Sequence, residues 1–298
     1  MRLTCTAVAM SLVVDFLFAF AANAEALTYA VVSDVQTPTK SARLVRKSIQ
    51  RSGIKNLVMA GDQLDNSWSG HKDLTYSDIW RPWLDAGFIF DVVAHGNHYL
   101  SKKKEQKYFG MPGPYYSVVN GPARFIVLNS NSVKTASEQA LWLENQLVEN
   151  QESFVFVVFH HSPYTISKTH AWEDRKGFHL KIRPLIFANK DKITALFVGH
   201  DHISAFYEMG GLPVILSAAT AEPRRGKPFD YAVDGVRIKP HWFYKGDPGW
   251  TKMDIDSVTN SVWFDFIDAK TDKVSCTVQL QDKKILLQEN CSIRSAKT

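Results

Sequence analysis

Three features predict a mixed α/β (α+β) fold with a C-terminal β-hairpin for this 298-residue chain. Short apolar runs rich in Val, Ile and Phe recur along it, amphipathic helical patterns lie between some of them, and five of the runs end on Asp, Asn or His. With 45% hydrophobic and 22% charged residues the chain can build a large core, which excludes disordered, collagenous and low-complexity readings.

Taken in order, strands are predicted at Leu27–Val32, Leu57–Ala60, Phe88–Ala94, Phe125–Leu128, Phe154–Phe159, Ala195–Val198, Val214–Leu216 and Val262–Ile267. A helix is predicted over Thr39–Arg51, with Ala42, Val45 and Ile49 on one face, and another over Ala136–Val148, with Ala140, Leu143 and Leu147 on one face. Thr135-Ala136-Ser137-Glu138 has the form of a capping box ahead of the second. Val274–Leu280 and Ile285–Gln288 flank Gln281-Asp282-Lys283-Lys284 with no helix between them, which predicts a C-terminal β-hairpin.

The first 24 residues read as an export signal: Arg2, an apolar run from Ala7 to Ala22 interrupted by Asp15, and the small-x-small site Ala22-Asn23-Ala24. An uncleaved anchor is the alternative. The run falls short of the ~20 apolar residues that a span requires. Cleavage after Ala24 removes Cys5 and leaves residues 25–298 as one domain, exported to the periplasm or secreted. Cys276 and Cys291 then form a pair suited to a disulfide in an oxidising compartment. Thirty-five Lys and Arg against thirty Asp and Glu leave +5, which suits a phosphate-bearing ligand and lends no support to a nucleic-acid partner.

The chemistry gathers where the runs end: Ser33-Asp34-Val35-Gln36, Gly61-Asp62-Gln63-Leu64-Asp65, His95-Gly96-Asn97-His98, His160-His161 and Gly199-His200-Asp201-His202. In α/β sheets ligands bind at the C-terminal strand edge, so these five deliveries converge on one site. Carboxylate, amide and imidazole donors without cysteine suit Mn, Fe or Zn, and one shared Asp lets two ions sit ~3.5–4 Å apart, the arrangement that clamps phosphoryl transfer. The predicted activity is two-metal hydrolysis.

These blocks resemble those of the calcineurin-like metallophosphoesterases, D-x-H, G-D-x-x-D, G-N-H-D/E, a strand-end His and G-H-x-H, over Asp34 to His202. The resemblance implies a four-layer α-β-β-α sandwich over residues 25–298. It implies one metal held by Asp34, Gln36, Asp62 and His202, and a second held by Asp62, Asn97, His160 and His200. A metal-bridging hydroxide would attack phosphorus, with His98 protonating the leaving oxygen or steadying the phosphoryl charge beside Asn97. Of the adjacent pair, His160 aligns with the family's ligand; His161 and His95 fall on no ligand position and read as structural histidines.

Two departures stand out. Gln36 replaces the commoner His, a poorer ligand that also occurs in relatives resembling the ADP-ribose and CDP-alcohol pyrophosphatases. Tyr99 replaces the acid that orients the catalytic His, which predicts a lowered His98 pKa unless another group compensates. Gln139-Ala140-Leu141-Trp142-Leu143 resembles a region of the purple acid phosphatases, but their chromophoric Tyr is absent from Gly61–Asp65, so no purple colour is expected.

The aromatics Trp68, Tyr76, Trp80, Trp83, Tyr164, Trp172, Trp242 and Tyr244 line either a substrate wall or, more simply, packed loops, and Arg224-Arg225 reads as solvated surface. The leading function is therefore an exported phosphoesterase acting on a small phosphorylated mono- or diester. The alternatives are a nucleotide-diphosphate-alcohol pyrophosphatase and, from another class, a metal-containing binding protein silenced by Gln36 and Tyr99.

Overall fold

A computed structural model describes residues 27–65, 73–167, 175–224, 230–244, 246–287 and 289–291. The expected leader, and with it the anchor alternative, lies outside the described residues, as do Trp68, Trp172 and Arg225. Among the described residues no helix is long and apolar enough to cross a membrane.

Two sheets carry the fold. The first runs in the order β15-β14-β13-β12-β1-β2-β3, from β1 (Leu27–Val32), β2 (Asn56–Met59), β3 (Ile89–Val93), β12 (Gly249–Asp256), β13 (Ser261–Asp268), β14 (Val274–Gln281) and β15 (Lys284–Leu287). The second runs β10-β11-β8-β9-β7-β6-β5-β4, from β4 (Tyr116–Asn120), β5 (Ala123–Val127), β6 (Phe154–Val158), β7 (Ala195–Val198), β8 (Ser204–Met209), β9 (Leu212–Ser217), β10 (Tyr231–Val233) and β11 (Val236–Tyr244). Within these sheets β1, β2 and β3 are parallel, as are β5, β6, β7 and β9. Parallel pairing is what brings the C-terminal strand ends, with their polar residues, to one edge of each sheet.

Alternation along β6 shows how the layers stack. Phe154, Phe156 and Val158 join the core shared with the first sheet, whereas Val155 and Val157 join a second core with Leu143, Leu147, Phe178 and Ile182. Those last four come from α4 (Ala136–Val148) and α5 (Lys176–Ala188), the helical layer over the second sheet. Tyr29 meets Phe125 and Phe197 meets Phe264 edge-on across the gap between the sheets. On the first sheet's side, α1 (Lys40–Ser52) buries Ala42, Val45 and Ile49 as the sequence predicts, and α2 (Tyr76–Leu84) and α3 (Lys102–Phe109) add Ile79, Trp80 and Phe109. Two sheets with helical layers fit the expected sandwich.

The C-terminal hairpin is present, its two-residue turn Asp282-Lys283 having positive φ at both positions, 49° and 62°. Cys276 and Cys291 are joined by a disulfide. One local expectation is corrected: Thr135 makes no capping bond to α4, because its hydroxyl pairs with Ser132 Oγ and accepts from Gln139 Nε2. A capping contact occurs instead at α2, where the Asp78 carboxylate accepts from the Thr75 N–H and hydroxyl.

The described aromatics of the 66–83 insertion resolve as packing. Tyr76, Trp80 and Trp83 are buried on α2, each contributing about 1.5–3 kcal/mol if treated as other large apolar groups. Trp80 Nε1 also donates to the Gln63 carbonyl at 2.8 Å, pinning the loop that carries Asp62 and Asp65.

Candidate metal centre

Backbone hydrogen bonds bind the site loops to one another beyond the strand ends. The Asp34 N–H donates to Gly61 O, Gln36 N–H to Asp62 O and Asp65 N–H to Gln36 O, while Gly199 N–H reaches His160 O. Two glycines allow this proximity: a Cβ on Gly96 would overlap the Asp62 carboxylate, and one on Gly199 would overlap Ser33 Oγ and sit 2.8 Å from Asp34 Oδ2. Asp34, Asp62, His200 and His202 hold left-handed backbone, at φ 56°, 54°, 75° and 54°, and Gln36 has φ 31°. Such conformations cost ~1–3 kcal/mol each in non-glycine residues and persist where surrounding structure overdetermines them, characteristically at functional sites.

Asp62 lies at the centre. Its Oδ2 is 3.2 Å from His160 Nε2 and accepts from Gln36 Nε2 at 2.8 Å, and its Oδ1 accepts from the His98 N–H at 3.0 Å. Asp34 Oδ2 accepts from the His200 N–H at 3.0 Å, which leaves Oδ1 turned toward His202 Nε2 at 3.5 Å and His160 Nε2 at 4.0 Å. The imidazoles are oriented from behind: His160 Nδ1 donates to Ala60 O at 2.8 Å and His202 Nδ1 to Glu222 O at 3.1 Å, so each presents Nε2 to the centre. His160, His161 and His200 form one compact group of ring nitrogens, and Asp34, Asp62 and His160 form another.

Electrostatics follow this geometry. Burial works to raise the Asp62 pKa, but His160 and His98 outweigh it and hold the carboxyl below its ordinary range. Burial likewise opposes charge on His160, and Asp62 and Asp34 overcome it, pushing the imidazole up to about 9. His161 is held well below its ordinary value by burial and by the neighbouring His160, His200, Arg175 and His179.

The donor set fits two metal ions. Asp34 Oδ1, Asn97 Oδ1, His160 Nε2 and His161 Nε2 are buried without hydrogen-bond partners. Lone pairs left unsatisfied in a protein interior are costly, and ligation would satisfy them. Gln36 reaches the centre through its NH2 group; presenting its oxygen to a cation requires a half-turn of the amide.

Two residues carry more than the sequence reading assigned. His161 is held by Ser130 Oγ at Nδ1, 2.8 Å away, but its buried Nε2 has no partner and its ring centroid is 4.5 Å from that of His200. Asp65 lies 3.1 Å from His98 Nδ1 and supplies the acid missing at position 99. The second Asp of G-D-x-x-D was the available signal for this contact. His95 has the structural role expected of it, paired with the buried Glu105.

No curated protein matches the chain. Among solved structures it is similar to GAP50, described as the anchor in the inner membrane complex of Plasmodium, at TM-score 0.67 and 16% identity over 87% of this chain and 90% of that one. It is similar also to the purple acid phosphatase PPD1 from yellow lupin (Lupinus luteus) seeds, at TM-score 0.67 and 13% identity over 92% of this chain but only 56% of the lupin chain. A dimetal phosphatase from Danio rerio aligns at TM-score 0.53 and 14% identity, over 88% of this chain and 98% of that one. These likenesses establish the fold. The model for calcineurin-like phosphoesterases matches residues 27–204, more than half of the sequence, and on that match the chain belongs to this family and is a metal-dependent phosphoester hydrolase.

Proposed function

We propose that the chain is an exported phosphoesterase that hydrolyses a small phosphomonoester or phosphodiester at a dinuclear centre. The observation that carries this reading is the close grouping of Asp34, Asp62 and His160, and of His160, His161 and His200, with Asp34 Oδ1 and Asn97 Oδ1 buried and without hydrogen-bond partners. Asp34, Gln36, Asp62 and His202 would hold one ion, and Asp62, Asn97, His200 and His160 the other, with His161 adjoining the second group. When bound, the ions supply Lewis acidity toward the phosphoryl oxygens and activate water for attack on phosphorus.

The remaining work falls to the protein. His98, held by Asp65, would give a proton to the leaving oxygen. That contact weakens the case for a silenced binding protein, since Tyr99 no longer leaves His98 without an acid. Export is supported by the leader-like N-terminus and by the Cys276–Cys291 disulfide.

The test uses the chain from Glu25, stripped of metal and resupplied with Mn, Fe or Zn, on matched aryl phosphate mono- and diesters, with Asp62→Asn as control. Metal-dependent turnover lost in the variant is expected. Silence on both esters in protein that retains about two bound ions would sink the general phosphoesterase reading.

A further inference from the structure

The alcohol of an ester departs on the side of the group that protonates it, so the surroundings of His98 bear on which alcohols the centre accepts. The His98 N–H donates to Asp62 Oδ1 at 3.0 Å, and two residues further on the Leu100 N–H donates to the phenol oxygen of Tyr76 at 3.3 Å. Leu100 and Tyr76 are walls of a cavity of about 510 Å³ between the first turn of α2 and α3. That size lies within the range of roughly 300–1,000 Å³ that holds small molecules. Two residues of chain span at most ~7 Å, so the cavity begins beside the loop that carries His98.

Chain topology places it at the same edge of the sheet as the metal centre. β2 and β3 are parallel with α2 between them, so α2 starts on the side where β2 ends and carries the chain back to the opposite edge. Thr75 and Tyr76, at the start of α2, therefore lie toward the edge that delivers Asp62 and His98.

The walls combine an apolar floor with positive charge. Tyr76 packs beneath the cavity against Tyr108, their ring centroids 5.5 Å apart, and Leu100 adjoins them. Lys104 and Lys107, three apart on α3 and both exposed, line the same space from one face of the helix. α3 carries four lysines, Lys102, Lys103, Lys104 and Lys107, and among the described residues none of them has an ion-pair partner. The nearby acids are engaged elsewhere: Glu105 is buried and paired with His95, and the Asp78 carboxylate accepts from the Thr75 N–H and hydroxyl. An aromatic floor beneath two unanswered cations matches a ligand with an apolar body and an anionic group.

We infer that this cavity receives the leaving alcohol of the substrate, an alcohol with an aromatic or apolar body and an anionic group of its own. The body lies against Leu100 and Tyr108, and the anion meets Lys104 and Lys107. The substrate role rests on the hydrolase reading, whereas binding of an anionic aromatic molecule does not.

Two fluorescent probes with one ring system test binding on the metal-loaded protein: 8-anilinonaphthalene-1-sulfonate, which is anionic, and N-phenyl-1-naphthylamine, which is not. Wild type is expected to prefer the sulfonate about tenfold, the scale of two exposed charge contacts. The pair Lys104→Gln and Lys107→Gln should abolish the preference, and the pair Lys104→Arg and Lys107→Arg, which retains both charges, should keep it. Melting curves establish that each variant is folded. No preference in wild type, or a preference that survives the glutamine pair, overturns the site. Hydrolysis of 2-naphthyl phosphate against 6-sulfo-2-naphthyl phosphate tests the substrate role: wild type should favour the sulfonated ester in kcat/KM, and the glutamine pair should lose that bias. Turnover of both esters without the bias overturns the leaving-alcohol role. Turnover of neither, with the binding preference intact, sinks the hydrolase reading and leaves the cavity as a binding site for anionic aromatic molecules.

Discussion

His98 Nδ1 lies 3.1 Å from Asp65 Oδ1, and the two residues come from different strand ends, after β3 and β2. A carboxylate at this distance fixes the ring orientation and stabilises the imidazolium, directing Nε2 toward Asp62, 3.9 Å away. Asp65→Asn should therefore lower kcat by about 100-fold or more, close to the effect of His98→Ala. The double variant should be little worse than either single one, because the pair acts as a unit. Steady-state kinetics on an aryl phosphate checks this; an additive double variant would show that the contact has no catalytic role.

Asp62 meets Gln36, His98 and His160 at once. Asp62→Asn removes the charge that two ions would share, so bound metal should fall from about two ions per chain to about one or fewer. Elemental analysis of the folded variant measures this directly.

The raised pKa of His160 has opposite consequences with and without metal. In stripped protein, its protonated form contributes stability that is full below its unfolded value of 6.5 and is lost as pH rises through about 9. Asp62, held below the ordinary carboxylate range, keeps its own contribution across that window. The stripped chain's melting temperature should therefore fall between pH 6.5 and 9, and His160→Gln should flatten the decline. Ligation needs the neutral ring, so metal affinity should instead rise over the same interval, with proton release detectable in weak buffer.

Gly96 leaves no room for a methyl group beside Asp62. Gly96→Ala should cost about 1–3 kcal/mol through overpacking and displace the Asp62 carboxylate. Both a lower denaturant midpoint and weaker metal retention are expected, whereas a harmless alanine on a surface turn would show neither.

The Cys276–Cys291 disulfide closes a 15-residue separation that contains most of β14, its turn and β15. Replacing both cysteines with Ser should lower stability by about 3 kcal/mol on the loop-entropy scale, without changing metal content. Chemical denaturation of the oxidised chain and of the double variant tests both halves of that statement.

The sequence by itself determined the strand ends and the ligand-type side chains they carry. β1 and β7 run as predicted, and Asp34, Asp62, His160, His200 and His202 arrive at one region, because apolar periodicity and parallel strand order are local signals with a fixed geometric consequence. α2 was less legible: its apolar residues sit in an aromatic cluster that reads equally as loop packing, and only burial against Phe90 and Phe109 distinguishes the two. Tertiary structure alone decided that Asp65 replaces the missing acid at position 99, that His161 joins His160 and His200, and that His179 is buried without a partner. Each depends on the distance between side chains from separate elements, and no pattern along one chain segment encodes that distance.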